Sequence, residues 1–207
     1  MITIICPTNN QAKFKTYALK TILLAEQYAR THNLPLPQLI TPLEPTIALA
    51  FNKGIKEAIY PIKVFIHEDV DMIDDSWIPK LNQVLTGDVG LVGLIGTTVE
   101  TKKGFWWESG YEHIQGELWS GLEKADWKYK PVNISTEVQV IDGFFMATNT
   151  NITFDDSISL GYMSMYDLSY CKRIRNAGYK IKVMDHKAWH IGEIREPNPQ
   201  LLSKYYS

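Results

Sequence analysis

The feature that most narrows what this chain can fold into is an apolar run that stops at acids. Val64, Phe65 and Ile66 lead straight into His67, Glu68, Asp69, Val70 and Asp71. The run reads as a buried strand, and its abrupt end sets carboxylate oxygens at the carboxyl edge of a sheet, the place where open α/β sheets bind their ligands.

The elements around that strand follow from spacing. Residues 2–6 form a short buried strand closed by the turn formers Pro7, Thr8, Asn9 and Asn10. Over residues 12–31 the positions Ala18, Ile22, Ala25 and Ala29 recur at helical spacing and predict one helix, ending before Asn33, Pro35 and Pro37. Residues 36–40 read as a second strand, residues 46–59 as a second helix with Ile47, Ala50, Phe51, Ile55 and Ile59 on one side, and residues 62–66 as the third strand. That alternation predicts an α/β domain, with a mostly parallel central sheet flanked by helices.

A short helix over 77–85 and a strand over 89–95 come next. From 96 to 130 the pattern loosens around Gly104, Gly110, Gly116, Gly121, Trp106, Trp107, Trp119 and Trp127, and reads as loops and short strands lying over the sheet. Strands at 137–141, 144–148 and 180–184 and a helix over 165–177 complete the pattern. With 207 residues and no repeat or linker, the expectation is one domain over 1–207.

Composition excludes several classes. A formal net charge of −2 with 21% charged residues gives no global field to attract nucleic acid. The two cysteines, Cys6 and Cys171, sit in apolar patterns and read as small buried hydrophobes, so a reducing cytoplasm is expected. The amino terminus lacks the pattern of a signal peptide, and no apolar run reaches the roughly 18 residues of a membrane span. Without a secretory route, the sequons at Asn133 and Asn151 read as chance.

Asp69 and Asp71 alternate along a segment expected to be extended, which would point both carboxylates to one side. Such oxygens suit Mg²⁺ or Mn²⁺ completed by a substrate's phosphates, and the imidazoles of His67 and His190 tilt the choice toward manganese. The plainer alternative is a solvated loop of Asp69, Asp71, Asp74 and Asp75 leading into the helix at Trp77, with Asp75 or Ser76 as its N-cap. Asp167 opens a helix, where the macrodipole favours it without catalytic duty; the functional alternative is a general base taking a proton from a substrate hydroxyl. His190 ends a strand before Gly192, as a ligand or as a hydrogen-bonded core group. Trp106 and Trp107 suit either a sugar face or a core. Asp142-Gly143 between apolar runs predicts a tight hairpin, and Gly143 also allows close approach of a ligand.

In this order the motifs resemble the GT-A glycosyltransferases of family 2, and more closely a glycosyltransferase-like branch with His-x-Asp-Val after the third strand. The resemblance is carried by Ile4-Ile5-Cys6-Pro7-Thr8-Asn9, Ala50-Phe51-Asn52-Lys53-Gly54-Ile55, Phe65-Ile66-His67-Glu68-Asp69-Val70 and Asp142-Gly143-Phe144-Phe145-Met146-Ala147. It continues through Phe154-Asp155-Asp156, Gly161-Tyr162, Tyr166-Asp167-Leu168-Ser169 and Gly178-Tyr179-Lys180-Ile181, and closes with Trp189-His190.

The resemblance implies a nucleotide-diphosphate sugar donor bound through Mn²⁺ or Mg²⁺ and a saccharide or glycoconjugate acceptor. Asp69 stands at the metal-touching acid and His190 where a late histidine joins it, Asp71 being added as a ligand from the alternation above, and Asp167 stands at the base of inverting enzymes. Pro7, Thr8 and Asn9 stand where the first loop meets the nucleotide, and Asn52 and Gly54 on the helix flanking it; His67, Glu68 and Gly143 are candidates for donor binding from their place beside these residues. Two positions depart from the family pattern: His67 replaces the first acid of Asp-x-Asp, and Tyr166 replaces the acid before the base. Nucleotidyl transfer is disfavoured because the loop after the first strand holds no glycine. A degenerate domain that binds a sugar nucleotide or a protein partner without turnover is the other alternative. The residues after His190 can fold over the donor, form a homo-oligomer contact or stay unstructured.

Overall fold

The structure, a computed structural model, describes residues 1–100, 106–128, 130, 132–158 and 165–192. Gly104, the Gly161-Tyr162 pair and the tail beyond Gly192 lie outside the described residues. No described helix is long and apolar enough to cross a membrane.

The strands are β1 (Ile2–Ile5), β2 (Gln38–Ile40), β3 (Ile62–Ile66), β4 (Val70–Met72), β5 (Val89–Gly93), β6 (Ile95–Thr97), β7 (Ile114–Ser120), β8 (Ala125–Lys128), β9 (Ser135–Val138), β10 (Val140–Ile141), β11 (Phe145–Thr148), β12 (Lys180–Met184) and β13 (Lys187–His190). The helices are α1 (Gln11–Thr16), α2 (Ala18–Thr31), α3 (Ile47–Glu57), α4 (Trp77–Val84) and α5 (Tyr166–Asn176).

The main sheet has seven strands in the order β2-β1-β3-β11-β5-β12-β9. β1 is parallel to β2 and β3, and β5 is parallel to β12. β11 runs antiparallel to both β3 and β5, and β9 antiparallel to β12, so five strands share one direction and two oppose them. A second sheet, β10-β6-β7-β13-β4 with β8 beside β7, draws β7 and β8 from the loosely patterned stretch.

Alternation along the main sheet divides the core. Ile4, Val64, Ile66 and Phe145 face one cluster with Ile22, Trp77 and Leu81. Ile5, Phe65 and Met146 face the other, with Phe51, Tyr170 and Ile174. The approach of α3 to β1 is close: a Cβ on Gly54 would lie 2.4 Å from the Ile5 side chain.

Several expected elements divide where burial or pairing changes. The single helix over 12–31 is two, broken at Tyr17 (φ −122°, ψ −73°). The periodic residues all fall in α2, whereas α1 buries none and is capped by Asn10, whose side chain accepts from the Ala12 and Lys13 N–H groups. The strand expected over 89–95 splits at Leu94, and that over 137–141 splits into β9 and β10. Asp142-Gly143 is not a hairpin. β10 pairs with β6 while β11 pairs with β3 and β5, and neither residue has the positive φ that a type I′ turn requires. Ser76 occupies the N-cap position of α4 without a side-chain cap, and Asp74 instead accepts from its N–H at 2.8 Å.

The chain passes directly between the two sheets at 67–69, at Leu94, at Gln139, at 142–144 and at 185–186.

Candidate active site

Two of those crossings build the site. His67 is the first residue past β3, and its N–H donates to the Phe144 carbonyl at 3.0 Å. The chain turns through Glu68 and Asp69 into β4, which pairs antiparallel with β13 and sets Val70 opposite His190. The Ile191 N–H then donates to the Asp69 carbonyl at 3.2 Å, fastening the end of β13 to the turn. One ligating atom each from His67, Asp69 and His190 lies within 4.8 Å of the others.

Asp69 is buried at 7% exposure. Its Oδ1 lies 3.5 Å from His190 Nε2 and its Oδ2 lies 3.4 Å from Lys13 Nζ. Burial alone pushes this carboxyl up, but His190, His67 and Lys13 together hold it below the usual carboxylate range. Burial, then the neighbouring His190, lowers the His67 imidazole to about 4, so it is neutral at pH 7 with one nitrogen lone pair for a ligand. The His190 ring stacks on Phe144 with centroids 4.9 Å apart. Two imidazoles and one ionised carboxylate are a donor set that fits Mn²⁺ better than Mg²⁺, which prefers oxygen alone.

Asp71 does not join this group; its carboxylate lies 3.1 Å from Lys20 Nζ. Alternate side chains share a side only along an extended segment, and Asp69 stands in the turn before β4 begins.

Asp167 lies in the first turn of α5, partly buried. Its Oδ1 accepts from the Leu168 N–H at 2.8 Å and its Oδ2 from the Gly143 N–H at 3.2 Å. Burial, then the charge of Asp142, raises its carboxyl to about 7. Asp142 is held in turn by the Trp106 indole N–H at 2.7 Å and the Phe144 N–H at 3.0 Å. Trp106 is therefore a core residue of this wall, with Trp107 edge-on against it at 5.4 Å. The Tyr166 hydroxyl lies 2.6 Å from His67 Nε2, and a Cβ on Gly143 would come within 2.1 Å of that hydroxyl.

The remaining sequence-derived residues divide. Glu68 Oε2 accepts from the Asn9 and Asn10 N–H groups at 2.9 and 2.8 Å, joining the loop after β1 to the site. In that loop the Thr8 hydroxyl donates to the Cys6 carbonyl at 3.0 Å, and Pro7 is buried. Both ends of the Asn52 amide are bound to the Phe154 backbone, and Gly54 faces Ile5. No sequence pattern marks Lys13, which lies on a helix without a buried face, or Phe144 as the stacking partner of His190. The sequence marks Asp142 and Tyr166 without their partners.

Among solved structures, GalNAc-T7 with UDP, GalNAc and Mn²⁺ matches with a TM-score of 0.60 at 8% identity, over 96% of this chain and 45% of that one. The mannosyltransferase PcManGT from Pyrobaculum calidifontis, in complex with GDP-Man and Mn²⁺, matches at 0.55 and 16% identity, over 94% and 57%. A variant of Drosophila β-1,4-galactosyltransferase 7 with manganese, UDP-Gal and xylobiose matches at 0.52 and 11% identity, over 93% and 71%. The chain thus spans less than two thirds of the first two. No curated protein matches the sequence. These likenesses establish the GT-A fold. The model of the family described as "Glycosyltransferase like family" matches residues 3–200. With a match that runs over nearly the whole sequence, the chain belongs to the glycosyltransferase-like family.

Proposed function

We propose that this chain is a metal-dependent glycosyltransferase that moves a sugar from a nucleotide diphosphate to a hydroxyl of a saccharide or glycoconjugate, with inversion at the anomeric carbon. The observation that carries the reading is the convergence of His67, Asp69 and His190 at the carboxyl end of β3, beside a wall that holds Asp167.

His67, Asp69 and His190 would hold Mn²⁺, or less favourably Mg²⁺, which when bound offsets the charge developing on the departing diphosphate. Lys13 adds a fixed positive charge beside Asp69. Asp167 takes the acceptor's hydroxyl proton while the new bond to the anomeric carbon forms and the bond to the diphosphate breaks. A carboxyl raised to about 7 is matched to that task, being both ionised and basic near neutrality. The Gly143 and Leu168 N–H groups aim it.

Calorimetric titration of UDP, GDP and TDP with Mn²⁺ and with chelator tests the donor site. One nucleotide should bind in a metal-dependent way, and Asp69→Ala should abolish that binding. Asp167→Asn should lower turnover by about 10²- to 10⁴-fold and spare donor binding; a loss below tenfold would remove Asp167 from the role. A second reading, binding without turnover, draws on the contact between Tyr166 and His67, which occupies one imidazole nitrogen. Mn²⁺-dependent hydrolysis of a donor sugar in the absence of acceptor would exclude it.

A further inference from the structure

We infer that Tyr166 is a positioning residue that determines which nitrogen of His67 is offered to a metal ion. The inference rests on the metal-dependent reading above and deepens it. His67 has two ring nitrogens, and a neutral imidazole carries a proton on one and a lone pair on the other. The hydrogen bond made at one nitrogen settles the state of the other. Here Nε2 lies 2.6 Å from the Tyr166 hydroxyl, while Nδ1 makes no hydrogen bond among the described residues. With Nε2–H donating to Tyr166, Nδ1 keeps its lone pair and is the nitrogen left to ligate. The opposite tautomer puts a proton on Nδ1 and bars it from a metal.

Tyr166 is held so that Nε2 is the nitrogen it engages and Nδ1 the one it leaves open; the hydroxyl can donate or accept, and a metal on Nδ1 requires Nε2–H as the donor. The tyrosine is 4% exposed, and its ring stands edge-on to Phe51 at 5.8 Å and tilted against Phe154 at 6.1 Å. The missing side chain of Gly143 leaves the space that the hydroxyl fills, since a Cβ there would lie 2.1 Å from it. Met165, immediately before, adopts the left-handed conformation at φ 49°, which launches α5 with Tyr166 as its first residue. On the other side, the His67 backbone is fixed by its N–H bond to Phe144, so rotation of the ring is the freedom that remains. The same helix start that presents the hydroxyl to His67 carries Asp167 one residue later. The orientation of a metal ligand and that of the base are thus set by one turn of backbone.

The test uses Tyr166→Phe, which keeps the ring and removes only the hydroxyl. Long-range ¹H–¹⁵N correlation spectra of the metal-free chain at pH 7 should show His67 in wild type as a single tautomer protonated at Nε2, and in the variant as a mixture. Free Mn²⁺ counted by electron paramagnetic resonance should show binding weakened by about 10- to 100-fold in the variant, the range for losing a partner of a ligating His. Asp69→Ala should lose Mn²⁺ with the His67 tautomer unchanged. A proton on Nδ1 in wild type, or a variant with the wild-type tautomer, would overturn the inference, as would a changed tautomer with unchanged Mn²⁺ affinity. A wild-type chain that binds no Mn²⁺ would sink the proposed function, and the metal-free spectra would still decide for or against Tyr166.

Discussion

Replacing Asp167 with Asn should change how stability depends on pH, in the opposite sense to removing an ordinary salt-bridged carboxylate. Burial and the charge of Asp142 raise the Asp167 carboxyl from 3.8 to about 7. Between those values the unfolded chain has released a proton that the folded chain still holds. Folding stability therefore falls as pH rises through the window and levels off above about 7. At about 1.4 kcal/mol for each unit of difference, the group withholds up to about 4 kcal/mol at neutral pH. Asn lacks this titration, but it also loses something independent of pH. Both carboxylate oxygens accept backbone N–H groups, from Leu168 and Gly143, and an amide offers one acceptor oxygen, so one N–H is left facing an NH₂ group. A buried donor left in that state costs about 1–3 kcal/mol. Offset and slope therefore separate the two effects. In urea unfolding measured from pH 5 to 8, the stability difference should move in favour of the variant by about 2–3 kcal/mol across the range, whatever the offset. Parallel curves, or a difference that moves toward wild type with rising pH, would refute a buried carboxyl that titrates near neutrality, and with it a base poised there.

Three further outcomes are expected. Gly54→Ala drives a methyl group into Ile5, 2.4 Å away, and should lower stability by about 1–3 kcal/mol in thermal unfolding; an unchanged Tm would show that α3 slides freely on β1. Asn52→Ala removes both bonds to the Phe154 backbone and should raise amide exchange at Phe154, while wild-type exchange rates would show that packing alone holds that segment. His186 is lowered to about 4 by burial, so between about 4 and 6.5 the unfolded chain binds a proton that the folded chain refuses, and stability rises with pH. His186→Phe should remove up to about 3 kcal/mol of that acid sensitivity; an equally acid-sensitive variant would contradict it.

What the sequence disclosed and what it concealed follow from the range of the interactions. β3 and β12 were legible to the residue, because an apolar run with polar ends bounds itself locally. His190 was legible as a strand end. The break at Tyr17 was not, since periodicity registers buried residues and α1 has none. The passage of Asp142-Gly143 from one sheet to the other was hidden as well, because neighbouring apolar runs do not reveal which distant strand each will pair with. In the candidate site, acids and imidazoles were visible as residue types, but their partners were not. Tyr166 lies 99 positions from His67, Lys13 lies 56 from Asp69, and Trp106 lies 36 from Asp142. The two positions that depart from the resembled family's pattern, His67 and Tyr166, are in contact, a relation that no local window displays.

The crossings between the sheets have a consequence for how such a site can diversify. His67, Glu68, Asp69, Asp142 and Gly143 all stand where the chain has left one ladder and has not yet entered the next. A strand residue is constrained twice, by the register of its neighbours and by the face it must present. A residue at a crossing escapes the first constraint, so its chemical identity can drift while every strand pairing persists. Sequence turnover should therefore concentrate in these few hinges of topology, and the scaffold would acquire new donors or lose its chemistry altogether without relearning how to fold.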